Sequence, residues 1–167
     1  MSGDTSSGPV WFAAHTRPRC EKKLAQYCAR HAVECDLPCY KSVKKYRGKT
    51  LTFLKPLFPG YLFVRTAPIH RRLLCQSDYI ANLLEVGDQQ LFVRQLADIN
   101  TALETDYEIR LVPIITEGVR IRVKSGPLRG IEGWVEARKG MSNVMLRLDF
   151  ISKAASVQID ASELELI

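Results

Sequence analysis

The stretch at residues 55–65, Lys-Pro-Leu-Phe-Pro-Gly-Tyr-Leu-Phe-Val-Arg, constrains the fold more than any other. Proline presets its own φ and glycine accepts a positive one, so Pro59-Gly60 makes a tight bend. The aromatic and β-branched run that follows it reads as a strand. Alternation puts Tyr61 and Phe63 on one side and Leu62 and Val64 on the other. Both sides are apolar. Such a strand is either covered on both faces or keeps one face for a partner.

Residues around this stretch supply the rest of a sheet and its helices. Residues 10–15, Val-Trp-Phe-Ala-Ala-His, form a first strand without breakers. Pro18 suits the first turn of a helix, where its missing N–H is no loss. Cys20, Leu24, Tyr27, Cys28 and Ala32 then make one stripe of 3.6-residue period. Residues 34–64 read as strands joined by turns, with Tyr46-Arg47-Gly48-Lys49 at a hairpin tip. Lys41, Lys44, Lys45, Arg47, Lys49 and Lys55 lie there with no acidic residue among them, which suits phosphate contact through counterion release. Residues 69–77 predict a short helix, residues 79–86 a strand, and Leu96, Ile99 and Leu103 the stripe of another helix. The expected first domain, residues 10–105, is an α+β sandwich in which helices flank an antiparallel sheet.

The periodicity lapses over residues 106–116, the expected linker, and then changes. Val119, Ile121 and Val123 alternate with Arg120, Arg122 and Lys124; Val144, Leu146 and Leu148 alternate with outward Met145, Arg147 and Asp149; Val157 and Ile159 alternate with Gln158 and Asp160. Gly118, Gly126, Gly130, Gly133 and Gly140 punctuate these runs, so residues 117–167 predict a small all-β barrel. Residues 1–9 are small and polar and read as a disordered tail.

Composition narrows the function classes. With 167 residues, 46% of them hydrophobic, the chain can bury real cores, and no stretch approaches the length of a membrane span. Of five cysteines, only Cys35 and Cys39 approach zinc-ligand spacing, so thiols in a reducing cytoplasm are expected, with no metal and no cofactor. Phosphate-loop, nucleophile-elbow and HExxH motifs are absent and the three histidines stand singly, which argues against an enzyme. The net charge of +6 is uneven: residues 1–65 carry the excess of lysine and arginine, whereas residues 66–117 are net acidic. A basic lobe beside an acidic one fits a polyanion on one face and a protein on another.

Taken together, the Trp11 strand with its helix, the phenylalanine-proline-glycine-tyrosine turn at Phe58 to Tyr61, and Val123, Gly126-Pro127, Gly130 and Gly133 at KOW spacing resemble the NusG family of transcription elongation factors. The resemblance covers nearly the whole chain, with a KOW (SH3-like) barrel as its second domain. Residues 35–64 look more like the specialised RfaH-type antiterminators than the housekeeping factor. The resemblance implies a monomeric binding protein that joins RNA polymerase at its clamp helices, holds the clamp closed and suppresses pausing and termination on particular operons. The family's clamp-binding surface corresponds to His15, Tyr61, Phe63, Val86 and Leu96. Its contact with non-template DNA corresponds to Arg17, Tyr27, Arg30 and His31. Where RfaH carries threonines after a histidine, this chain has His70-Arg71-Arg72-Leu73, so Arg71 and Arg72 join the nucleic-acid set. Phe150 and Ile151 correspond to the apolar loop that meets a small-subunit ribosomal protein or Rho, followed here by Ser152-Lys153 instead of glycine and arginine. RfaH refolds its barrel as a helical hairpin; the strict alternation and five glycines oppose that here, at about 1 kcal/mol per interior glycine. A ribosome- or RNA-binding KOW protein is the competing reading.

Overall fold

A computed structural model describes residues 8–113, 118–138 and 141–167. Most of the expected tail, residues 114–116 of the expected linker, and residues 117 and 140 of the expected barrel lie outside them. The chain forms two compact units. One contains the described residues up to Leu37 together with Phe58–Gln89; the other contains Pro38–Leu57 and Gln90–Ile167.

The first unit is built on a four-stranded antiparallel sheet. Its strands β1 (Val10–Thr16), β2 (Glu34–Asp36), β5 (Tyr61–Thr66) and β6 (Ile80–Glu85) lie in the order β2-β5-β1-β6. The Pro59-Gly60 bend is present, with Gly60 at φ +88°, and Thr16 N–H donates to Gly60 O at 2.8 Å. Pairing of Phe12 with Val64 and Ala14 with Leu62 puts these four side chains on one face. There they pack with Leu24 and Cys28 of helix α1 (Glu21–Arg30), Leu74 of helix α2 (Arg71–Cys75) and Leu83 as one fully buried cluster. This is the core face expected for Leu62 and Val64. Cys28 faces Cys35 of β2 closely enough that hydrogen bonding from one thiol to the other, with burial, pushes the Cys28 pKa strongly upward.

Helix α1 begins later than Pro18 suggests. Cys20 N–H closes a turn on Arg17 O at 3.1 Å, and Arg19 sits at φ +60°, so Pro18 belongs to that turn and the helix starts at Glu21. The helix also stops before Ala32, which is exposed at φ +55°.

The second unit contains three parts. Strands β3 (Cys39–Tyr46) and β4 (Lys49–Pro56) form a separate two-stranded hairpin. Both turn residues have positive φ, +48° at Arg47 and +77° at Gly48, which gives a two-residue type I′ turn with the twist that antiparallel strands favour. Helix α3 (Gln89–Leu103) buries Phe92, Gln95, Leu96, Ile99 and Ala102, a stripe at helical spacing. A six-stranded antiparallel sheet completes the unit in the order β12-β8-β9-β10-β11-β7. These strands are β7 (Ile109–Pro113), β8 (Val119–Val123), β9 (Glu132–Arg138), β10 (Met141–Leu148), β11 (Lys153–Asp160) and β12 (Leu164–Leu166). The α+β architecture with a following all-β sheet is as expected.

Three details of the second unit depart from expectation. Ile109–Pro113, inside the expected linker, is a strand paired with β11, because its apolar residues complete the sheet's edge. Met145, which the alternation of Val144, Leu146 and Leu148 places on the outward side, is buried opposite Trp134 and Ser156, so the middle of β10 is covered on both faces; Val119, at the start of β8, is exposed. Helix α3, expected to finish the first domain, groups with this unit: the buried Gln95 accepts a bond from Asp149 N–H at 3.0 Å.

Gly133 holds β9 against β10. A Cβ there would stand 2.8 Å from Val144 Cγ1 and 2.9 Å from Met145 O. The carbonyl is fixed by the strand ladder, so Gly133→Ala is expected to destabilise the chain by about 1–3 kcal/mol. Thermal denaturation monitored by tryptophan fluorescence checks this; an unchanged midpoint would mean that β9 and β10 separate without cost.

Candidate functional site

Three surfaces carry the residues singled out in the sequence, and each is set by its strand register or helix face. The outer face of the first sheet comes first. Its rows are His15 with Tyr61 and Asn82, then Ala13 with Phe63 and Leu84. The His15 and Tyr61 rings lie 5.2 Å apart at 32°, with His15 exposed and Tyr61 half-buried. Asn82 is exposed beside them and Leu84 is 40% exposed.

Of the five residues expected to meet polymerase, only His15 and Tyr61 are presented. Phe63 is 0% exposed and packs edge-on against Phe58 at 6.2 Å. Val86 is buried because β6 ends at Glu85: the chain turns, and Val86 N–H bonds to Trp11 O. Gln89 secures that turn, accepting from Trp11 N–H at 2.7 Å while its amide donates to Trp11 O and Val86 O. Leu96 belongs to the buried stripe of α3. Leu84 takes the exposed apolar place expected of Val86. The signal was available as the period-two alternation 80, 82, 84, but it needed the strand's end to be known.

The second surface surrounds the C-terminal end of α1. Tyr27 and His31, one turn apart, have ring centroids 4.3 Å apart. Tyr79 meets Tyr27 edge-on at 6.5 Å, and Arg17 N–H donates to Tyr79 O at 2.8 Å. Tyr79 therefore joins Arg17 to Tyr27 and His31, a role the sequence did not disclose. Arg17, Arg30 and His31 are exposed, whereas the Tyr27 hydroxyl is committed to Leu73 O at 2.7 Å, so only the ring of Tyr27 is available. Arg72 is exposed. Arg71 is also exposed, but its guanidinium donates to Leu83 O at 3.1 Å and lies 5.4 Å from the Phe12 ring. That engagement ties Arg71 to β6 through one of its N–H groups.

The third surface is on the six-stranded sheet. Residues Asp149–Ile151 form a 3-10 turn, in which Phe150 is 37% exposed and Ile151 is buried. Ile151 is thus a core residue, and Phe150 alone is presented. Ser152 follows at φ +54°, a left-handed conformation that glycine adopts more readily. Nearby, α3 and the sheet frame a cleft of about 220 Å³ lined by Arg94, Asp98, Arg120, Glu132, Trp134 and Arg147. The Arg120 and Arg147 guanidinia lie 5.7 and 4.6 Å from the Trp134 ring. Glu132 accepts from Arg122 at 2.9 Å and Arg120 at 2.7 Å, and these bonds hold its carboxyl below the usual range. Burial raises the Asp98 carboxyl. The cleft's charges largely satisfy one another, and it presents no nucleophile paired with a base.

A family model described as transcription termination factor nusG matches residues 9–117. The chain belongs to the NusG family. It is accordingly a transcription elongation factor with no enzymatic activity of its own, and the match runs through the whole first sheet, the hairpin and α3. A solved structure, the crystal structure of an MjSpt4:Spt5 complex in conformation B, is similar over 94% of this chain and 96% of that one, at 15% identity. The TM-score of that match is 0.28. Among the described residues, no helix is long and apolar enough to cross a membrane.

Proposed function

We propose that this NusG-family chain binds RNA polymerase through the outer face of its first sheet and suppresses pausing and termination on particular operons. The observation that carries the reading is the His15–Tyr61 ring pair at the end of the central strands, His15 exposed and Tyr61 half-buried, with Asn82 and Leu84 beside it. Aromatic anchors with one apolar neighbour suit a helical partner such as the polymerase clamp helices. Phe63 and Val86 act beneath this patch by holding it rigid. A factor that binds the closed clamp better than the open one shifts polymerase away from the paused state.

Operon specificity, in the RfaH manner, would come from non-template DNA. Arg17, Arg30, His31 and the Tyr27 ring suit it, because they combine phosphate-pairing cations with a stacking surface, and Arg72 adds a further cation. Phe150 is the candidate contact for a ribosomal protein or Rho. The chain acts in the cytoplasm, where its polymerase works.

Single-round transcription with core polymerase from the source organism tests this. Pause half-lives should shorten as the protein is added, and read-through at a terminator should rise. Unchanged pausing together with co-sedimentation on ribosomes would establish the ribosome-binding alternative instead.

A further inference from the structure

The β3–β4 hairpin has a feature that polymerase contact through the first sheet does not use. Every residue from position 43 to position 54 is exposed, Phe53 at 46% and Tyr46 at 62%. A two-stranded ribbon with this much exposed apolar surface has little core of its own. Its register sorts the side chains. Tyr40 pairs with Lys55, Ser42 with Phe53, Lys44 with Leu51 and Tyr46 with Lys49, so these eight share one face. The opposite face carries Lys41 with Leu54, Val43 with Thr52 and Lys45 with Thr50. All three aromatic residues of the hairpin therefore lie on the same side, interleaved with Lys44, Lys49 and Lys55. Arg47 at the tip holds its guanidinium 5.6 Å from the Tyr46 ring.

We infer that the face of the hairpin bearing Tyr40, Lys44, Tyr46, Lys49, Phe53 and Lys55 is a binding platform for single-stranded nucleic acid. Bases stack on the exposed rings of Tyr46 and Phe53 regardless of sequence, with half-buried Tyr40 at the foot of the same face, while lysines spaced between the rings follow the phosphates. A duplex presents phosphates to lysines but no free base to a tyrosine or phenylalanine, so the segregation of the rings favours a single strand. Lys44 and Lys55 flank the Ser42–Phe53 pair on this face. Their mutual hydrogen bonding and repulsion hold the Lys44 ammonium below its usual pKa, which an intervening phosphate would relieve. Charge complementarity points the same way, since no acidic residue lies between Lys41 and Lys55.

Fluorescence anisotropy with the full-length protein tests the platform. Labelled oligouridine, oligothymidine and duplex DNA of equal length are titrated against wild type, Tyr46→Ala/Phe53→Ala and Lys44→Ala/Lys55→Ala. Single strands should bind more tightly than duplex, and the aromatic double variant should weaken them about tenfold or more. The lysine double variant should lower the slope of log K against log salt by about 1.4. A preference for uridine or thymidine identifies RNA or DNA as the strand used. Duplex binding as tight as single-strand binding, or single-strand binding unaltered in both variants, overturns the proposal. Because no polymerase is in the assay, its outcome is independent of the clamp reading.

Discussion

Phe63→Ala is expected to destabilise the first unit by about 3–5 kcal/mol, the range for removing a fully buried phenylalanine from a close-packed site. Phe63 is 0% exposed and meets Phe58 edge-on. Small domains have only about 5–15 kcal/mol in total, so this one substitution removes a large part of the margin. Chemical denaturation should show a lower midpoint, and limited proteolysis should cut the first unit faster. A variant with wild-type stability would mean that the outer face of β5 opens readily, and that Phe63 could reach a partner after all.

The second large effect separates recognition from folding on the same strand. His15→Ala with Tyr61→Ala should weaken binding to core polymerase by about 2 kcal/mol or more, roughly thirtyfold, the loss that aromatic anchors of an interface produce. Stability should fall far less than in Phe63→Ala, because His15 is exposed and Tyr61 is half-buried. Binding retained at wild-type strength would remove the ring pair from the interface. The contrast between Tyr61 and Phe63, neighbours on one face, is the sharpest feature of the surface.

That contrast also marks what the sequence conveys. The Pro59-Gly60 bend, the strand after it, the hairpin turn at Arg47-Gly48 and the alternating runs of the second sheet were all legible, since local residue chemistry decides them. The fate of the Tyr61–Phe63 side was not. Period-two alternation says which side chains share a face but not how far a cover extends along it, and so it does not distinguish buried Phe63 from Tyr61. Val86 and Leu84 were exchanged because the sequence does not reveal that β6 ends at Glu85. Arg19, at φ +60°, carries no glycine signal, and the start of α1 was displaced accordingly. Ile109–Pro113 is too short to declare itself a strand without β11 beside it. The charge of Arg71 is plain in the sequence, but its bond to Leu83 O and its place near the Phe12 ring depend on the fold. Tyr79 carries no signal of its own in the sequence, because its role depends on Tyr27 and Arg17 being brought to it by the fold.

The most direct test of the central claim is an equilibrium titration of labelled full-length protein with core RNA polymerase, run alongside the His15→Ala/Tyr61→Ala variant. Saturable binding by the wild type, with an affinity roughly thirtyfold weaker in the variant, is the predicted result. No saturable binding of the wild-type protein to polymerase would contradict it.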